Sequence, residues 1–153
     1  MNQGRRVEGT ERSGVIRVRF CRRTDRAALL KLGHPPGAEE ILAPSIAGRI
    51  RWFLNGTLAC GLVAEDAAAG TLVGSAHFVR SRRDPGTWMF GLWRVAAARR
   101  REGIGGLLLR EGARLVPGVR RLYSYVDWGN EASILAHRRL GFEAAPEVQG
   151  RAG

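Results

Sequence analysis

The chain has 153 residues, 44% hydrophobic and 25% charged, the size of one ordinary domain, and no apolar run reaches the length of a membrane span. The formal net charge of +11 comes from 25 lysines and arginines, of which Lys31 is the only lysine. These cations are scattered from Arg5 to Arg151 without the interleaved aromatics of a nucleic-acid recognition sheet, so neither nucleic acid nor a membrane is an expected partner. Cys21 and Cys60 have no metal-ligand spacing and read as reduced thiols; no metal is expected, and a cytoplasmic location fits.

Residues 1–14 are polar and glycine-bearing and read as a mobile N-terminal arm, neither a secretory signal nor a helix, ahead of a single domain over 15–153. Residues 15–21 alternate apolar and basic side chains as a strand does, and Thr24 offers a cap for a helix over 25–32. His34-Pro35-Pro36-Gly37 breaks the chain. A second helix is predicted over 38–54, interrupted early at Pro44, with a turn at Asn55-Gly56. Strands are predicted over 58–64, 71–80 and 87–95, joined by hairpin loops at 66–70 and 81–86 into an antiparallel meander. The third is apolar on both faces apart from Arg94, which suits a strand covered on both sides.

From Ile104 onward Leu107, Leu108, Glu111, Gly112 and Leu115 recur at helical spacing until Pro117-Gly118. A strand over 122–127, a turn at Trp128-Gly129, a helix over 131–140 stopped by Gly141 and a short terminal strand complete the reading.

The junction Arg99-Arg100-Arg101-Glu102-Gly103-Ile104-Gly105-Gly106 carries most of the functional signal. Glycines between a strand and a helix let backbone N–H groups crowd around an anion, where the helix N-terminus adds unsatisfied donors and partial positive charge. A Walker loop is excluded because Lys31 lies far upstream, and a dinucleotide fingerprint lacks its third glycine, where Leu108 stands. Arg100-x-x-Gly103-x-Gly105 after Leu92-Trp93-Arg94-Val95 resembles the acyl-CoA pyrophosphate loop of the GNAT superfamily of N-acetyltransferases. A second motif follows in order: Asn130 heads a helix that runs through His137-Arg138-Arg139 into Leu140-Gly141-Phe142.

The resemblance implies a mixed-sheet α/β (α+β) fold in the order β-α-α-β-β-β-α-β-α-β with a central splayed pair of parallel strands. Acetyl-CoA would be the cosubstrate, its pantetheine arm paired with the backbone of Trp93, Arg94 and Val95. Main-chain amides across Arg100, Arg101, Glu102, Gly103, Ile104, Gly105 and Gly106 would cradle the pyrophosphate, and a β-carbon at Gly103 or Gly105 would obstruct it or the turn. Arg99 and Arg101 read as solvated helix-end charges. Asn130 would order its loop or contact CoA.

The implied reaction is direct attack of a primary amine on the thioester in a ternary complex. An ammonium of pKa about 10 must first lose a proton, and a thiolate of about 8.5 must gain one. His137 stands where the family usually carries a tyrosine acid. The 87–95 strand lacks the carboxylate that many members use as base, which leaves Asp127 first, then Glu65 and His77, or a water relay. Trp52, Trp88, Trp93 and Trp128 are candidates for the acceptor wall or for core. Only eleven residues follow Phe142, room for one short strand, so either a second subunit, as in a homodimer, or a bound partner is expected to cover that edge. The alternative is a catalytically weak acetyl-CoA-binding sensor or interaction module.

Overall fold

The computed structural model describes residues 16–32, 59–127 and 129–145. Over these residues one five-stranded sheet runs in the order β1 (Ile16–Phe20), β2 (Ala59–Asp66), β3 (Thr71–Arg80), β4 (Thr87–Val95) and β5 (Arg121–Tyr123). The first four strands are antiparallel neighbours, and β5 pairs parallel to β4. Three helices accompany them: α1 (Arg26–Lys31), α2 (Ile104–Leu115) and α3 (Glu131–Arg139). The expected helix over 38–54, the N-terminal arm and the terminal strand lie outside the described residues.

Side-chain alternation on β2 separates the two faces of the sheet. Leu62 and Ala64 join Phe78, Phe90, Ile104 and Leu108 under α2, whereas Val63 packs with Leu29 and Leu32 of the α1 segment. Phe78 and Phe90 are fully buried and meet edge to face, centroids 5.5 Å apart. Each contributes about 1.5–3 kcal/mol of apolar burial. Ile104, Leu108 and Gly112 recur every fourth residue on the face of α2 that meets the sheet, and Gly112 sets the approach. A β-carbon there would stand 2.5–2.6 Å from Phe78 and Leu62.

The opening of α1 differs from the expectation that Thr24 caps it. A 3-10 turn, Arg23–Asp25, precedes the helix, and Thr24 is exposed. Asp25 instead accepts from the Arg22 amide at 2.7 Å and from both Nη atoms of Arg19 at 2.8 Å. Arg19 also reaches Glu65 at 3.2 Å. A bidentate guanidinium outcompetes a lone hydroxyl as organiser of this corner, tying β1 to α1 and β2. The Arg19 hydrogen bonds hold the Asp25 carboxyl below the usual carboxylate range despite its burial.

Candidate active site

The site begins where β4 and β5 part. Their parallel ladder holds three pairs, Thr87–Arg121, Trp88–Leu122 and Met89–Tyr123. The strand expected over 122–127 is therefore confined to Arg121–Tyr123, because beyond Met89 β4 offers β5 no ladder partner. A bulge lies at the start of this gap: Ser75 pairs with Arg94 but His77 with Gly91, so β4 carries one extra residue. Leu92 absorbs it at φ 44°, in the left-handed region. The extra residue resets the alternation, and Phe90 and Trp93 come to share one face, centroids 6.1 Å apart. On the other edge of β4, Arg94 and Val95 remain paired with β3.

Val95 leads through a second 3-10 turn, Ala97–Arg99, into the glycine junction. Arg99 is not a solvated charge. Its guanidinium bonds Asp66 at 2.9 Å and Glu102 at 2.6 Å, pinning the junction to the end of β2. Asp66 also accepts from the amides of Ala68 and Ala69, and the Arg99 bond holds its carboxyl below the usual range. Glu102 is thus the partner of Arg99, while Arg100 and Arg101 are exposed and form no ion pair among the described residues.

Arg101 (φ 68°) and Gly103 (φ 78°) both adopt left-handed backbone, a pattern that turns successive amides toward one side. Gly103 heads α2 without a side-chain cap, and the first helical bond is Leu107 N–H to Gly103 O at 3.0 Å. The amides of Ile104, Gly105 and Gly106 therefore have no intrahelical acceptor.

The two motif glycines serve different ends. Open space surrounds the β-carbon position of Gly103, so its positive φ is what requires glycine. Gly105 is buried, and a β-carbon there would meet the Trp93 indole at 2.1–2.6 Å. The expected obstruction of the phosphate side is replaced by packing: Gly105 lets the indole lie against the first turn of α2. Gly106 similarly admits Arg110 and Leu140, whose atoms lie 3.0 and 3.3 Å from its β-carbon position. Trp93 Nε1 is buried without a hydrogen-bond partner among the described residues.

On its other side Trp93 meets His137 edge on, centroids 5.4 Å apart, and Phe142 meets the same imidazole at 5.3 Å. His137 is 9% exposed. Its Nδ1 lies 2.7 Å from the Ser133 carbonyl oxygen and its Nε2 lies 2.9 Å from Ser124 Oγ. A carbonyl oxygen only accepts, so Nδ1 carries the hydrogen, and in the neutral ring Nε2 accepts from the Ser124 hydroxyl. Ser133 lies four residues before His137 on α3, a spacing visible in the sequence; nothing in Tyr123-Ser124-Tyr125 signalled Ser124.

The remaining candidates are dispersed. Asn130 caps α3, its Oδ1 accepting from the Ser133 amide at 3.1 Å. Asp127 has an exposed side chain, and its carbonyl accepts from the Asn130 amide. Glu65 is bound by Arg19, His77 is buried on β3 beside Gly91, and Trp88 is buried in the core. Trp52 and Trp128 lie outside the described residues. A 740 Å³ cavity at the opposite, paired end of β4 and β5, bordered by Arg80, Asp84, Arg120 and Arg121, contains none of the motif residues.

A mixed sheet thus opens beside an uncapped helix start led by Gly103. The family model described as "Acetyltransferase (GNAT) family" matches residues 27–142. The chain belongs to this family: it is an N-acetyltransferase with acetyl-CoA as its cosubstrate. No curated protein matches it.

Solved structures share the fold. AAC(6')-Iy in complex with the bisubstrate analogue CoA-S-monomethyl-acetylneamine aligns with a TM-score of 0.69 at 20% identity, over 87% of this chain and 94% of that one. The aminoglycoside 6'-N-acetyltransferase AAC(6')-IG of Acinetobacter haemolyticus gives 0.71 at 18%, over 86% and 94%. A transcriptional regulator from Bacillus halodurans gives 0.68 at 16%, over 86% and 95%. No described helix is long and apolar enough to cross a membrane.

Proposed function

We propose that the protein transfers the acetyl group of acetyl-CoA directly to a primary amine, of a small molecule or a protein, with both substrates bound together. One observation carries this reading: the β4 edge after Met89, unpaired among the described residues, leads through the Ala97–Arg99 turn to the uncapped start of α2 at Gly103. The strand edge suits an extended pantetheine arm, through backbone groups of Trp93 to Val95. The free amides of Ile104, Gly105 and Gly106 suit a pyrophosphate, with the helix dipole behind them. Arg100 and Arg101, exposed at the rim, add positive charge, and Glu102 acts through Arg99 by fixing the turn. Asn130 contributes by ordering α3, which carries His137. Asp127, exposed beyond the end of β5, is the carboxylate best placed in the chain order to receive a proton released by the acceptor amine. Residues 15–153 form the catalytic domain.

A second reading has its own support. Residues 87–95 carry no carboxylate and both nitrogens of His137 are engaged, an arrangement compatible with a protein that binds acetyl-CoA but turns it over poorly. Two measurements separate the readings. Calorimetry should detect acetyl-CoA binding, and thiol release with neamine, tyramine and a glycine-led tripeptide should reveal transfer. Binding without release across the amines supports the sensor, and absence of binding removes both readings.

A further inference from the structure

We propose that Ser124 and His137 form a proton relay on the β5 flank of the gap, in which the Ser124 hydroxyl exchanges protons with the reacting atoms and His137 stores one in transit. This rests on the acetyl-transfer reading above. The family position pointed to His137 as the acid, but its only N–H in the neutral ring is spent on the Ser133 carbonyl at 2.7 Å. Trp93 and Phe142 flank the ring, and turning that hydrogen outward would give up both the Ser133 and the Ser124 contacts. The outlet of the pair is therefore Ser124 Oγ, 2.9 Å from Nε2. Ser124 follows the last ladder pair, Met89–Tyr123, and is half-buried where the strands part.

The proton balance closes within this dyad. The acceptor enters as the neutral amine, its ammonium proton having passed to Asp127 and on to solvent. As its nitrogen bonds to the thioester carbon, Ser124 Oγ takes an N–H proton and passes its own hydrogen to His137 Nε2. The resulting imidazolium donates from Nδ1 to Ser133 O and from Nε2 to Ser124 Oγ, so both hydrogens are satisfied. As the C–S bond breaks, its electron pair stays on sulfur, which takes a proton from Ser124 Oγ, and Nε2 returns one to the hydroxyl. Amide and free thiol leave, and the dyad regains its starting form. One site handles both protons in turn, which accounts for a β4 strand without a carboxylate.

The test compares wild type, Ser124→Ala and Ser124→Thr by acetyl-CoA calorimetry and by thiol release with neamine, tyramine and a glycine-led tripeptide. Ser124→Ala should lower kcat about 100-fold with acetyl-CoA affinity unchanged, and Ser124→Thr, which keeps the hydroxyl, should recover most of it. Nitrogen-15 spectra of the wild-type imidazole should show the Nδ1–H form, with the Nε2 resonance shifted in Ser124→Ala. Wild-type kcat in Ser124→Ala, an Nε2–H ring, or an acetyl adduct on Ser124 formed without amine each overturns the relay while leaving acetyl transfer intact. A wild type that binds acetyl-CoA yet releases no thiol with these amines overturns the transfer reading and the relay with it.

Discussion

Gly105→Ala isolates the packing that joins the glycine loop to the gap. The added carbon would lie 2.1 Å from Trp93 Cζ2 and 2.5 Å from Cε2, whereas carbon pairs rest at about 3.5–4.0 Å. Relief requires a shift of about 1.5 Å by the indole or by the first turn of α2. The indole has little room, with Phe90 on one side and His137 on another. Overpacking of this kind costs about 1–3 kcal/mol, and the severity of the overlap places it near 3. For a chain of this size that lowers Tm by roughly 6–12 °C.

Gly112→Ala makes a comparable clash, 2.5–2.6 Å from Phe78 and Leu62, near the far end of the same helix. It should destabilise similarly yet spare acetyl-CoA affinity, while Gly105→Ala should weaken both. Thermal unfolding with calorimetry on the two variants decides the matter. A Gly105→Ala protein that melts with the wild type refutes the packing argument, and equal loss of affinity in both variants refutes the assignment of the loop.

Gly103→Ala meets no neighbour but must hold φ 78°, so it should cost only about 1–2 kcal/mol; a larger loss of stability would indicate a contact the fold does not contain. Arg99→Gln releases Asp66 and Glu102 and should weaken acetyl-CoA by no more than about fivefold, the limit for a partly exposed ion pair, read by calorimetry. The Asp25 carboxyl is depressed in the folded chain, so its stabilisation is present above the unfolded carboxylate pKa and is lost as pH falls through the lower, folded value. Asp25→Asn should therefore cost about 2 kcal/mol at neutral pH and flatten the acid side of a Tm-against-pH curve; an unchanged acid slope would contradict the Arg19–Asp25 assignment. Burial pushes the Cys21 thiol up to about 11, so at pH 8 it should react with a disulfide reagent roughly 100-fold slower than an ordinary thiol, and denaturant should abolish the difference.

Features set by a residue and its near neighbours were legible in the sequence. The strands Thr71–Arg80 and Thr87–Val95 have the expected bounds, and α2 and α3 stand where helical spacing and the stops at Pro117-Gly118 and Gly141 put them. Gly103 could be read because a left-handed residue at a helix start is a local demand that glycine meets. Closure of the sheet decided the rest. The β4 bulge at Leu92, which carries Trp93 to the face of Phe90, sets what Gly105 is for, and no local pattern encodes it. The end of β5 at Tyr123 depends on where its partner strand departs. Arg99 finds Asp66 across 33 positions and Ser124 finds His137 across 13, pairings that exist only once the chain has folded back. A residue's spacing along one helix or strand fixes its face, but which group it meets there depends on segments whose approach is set by the packing of the whole.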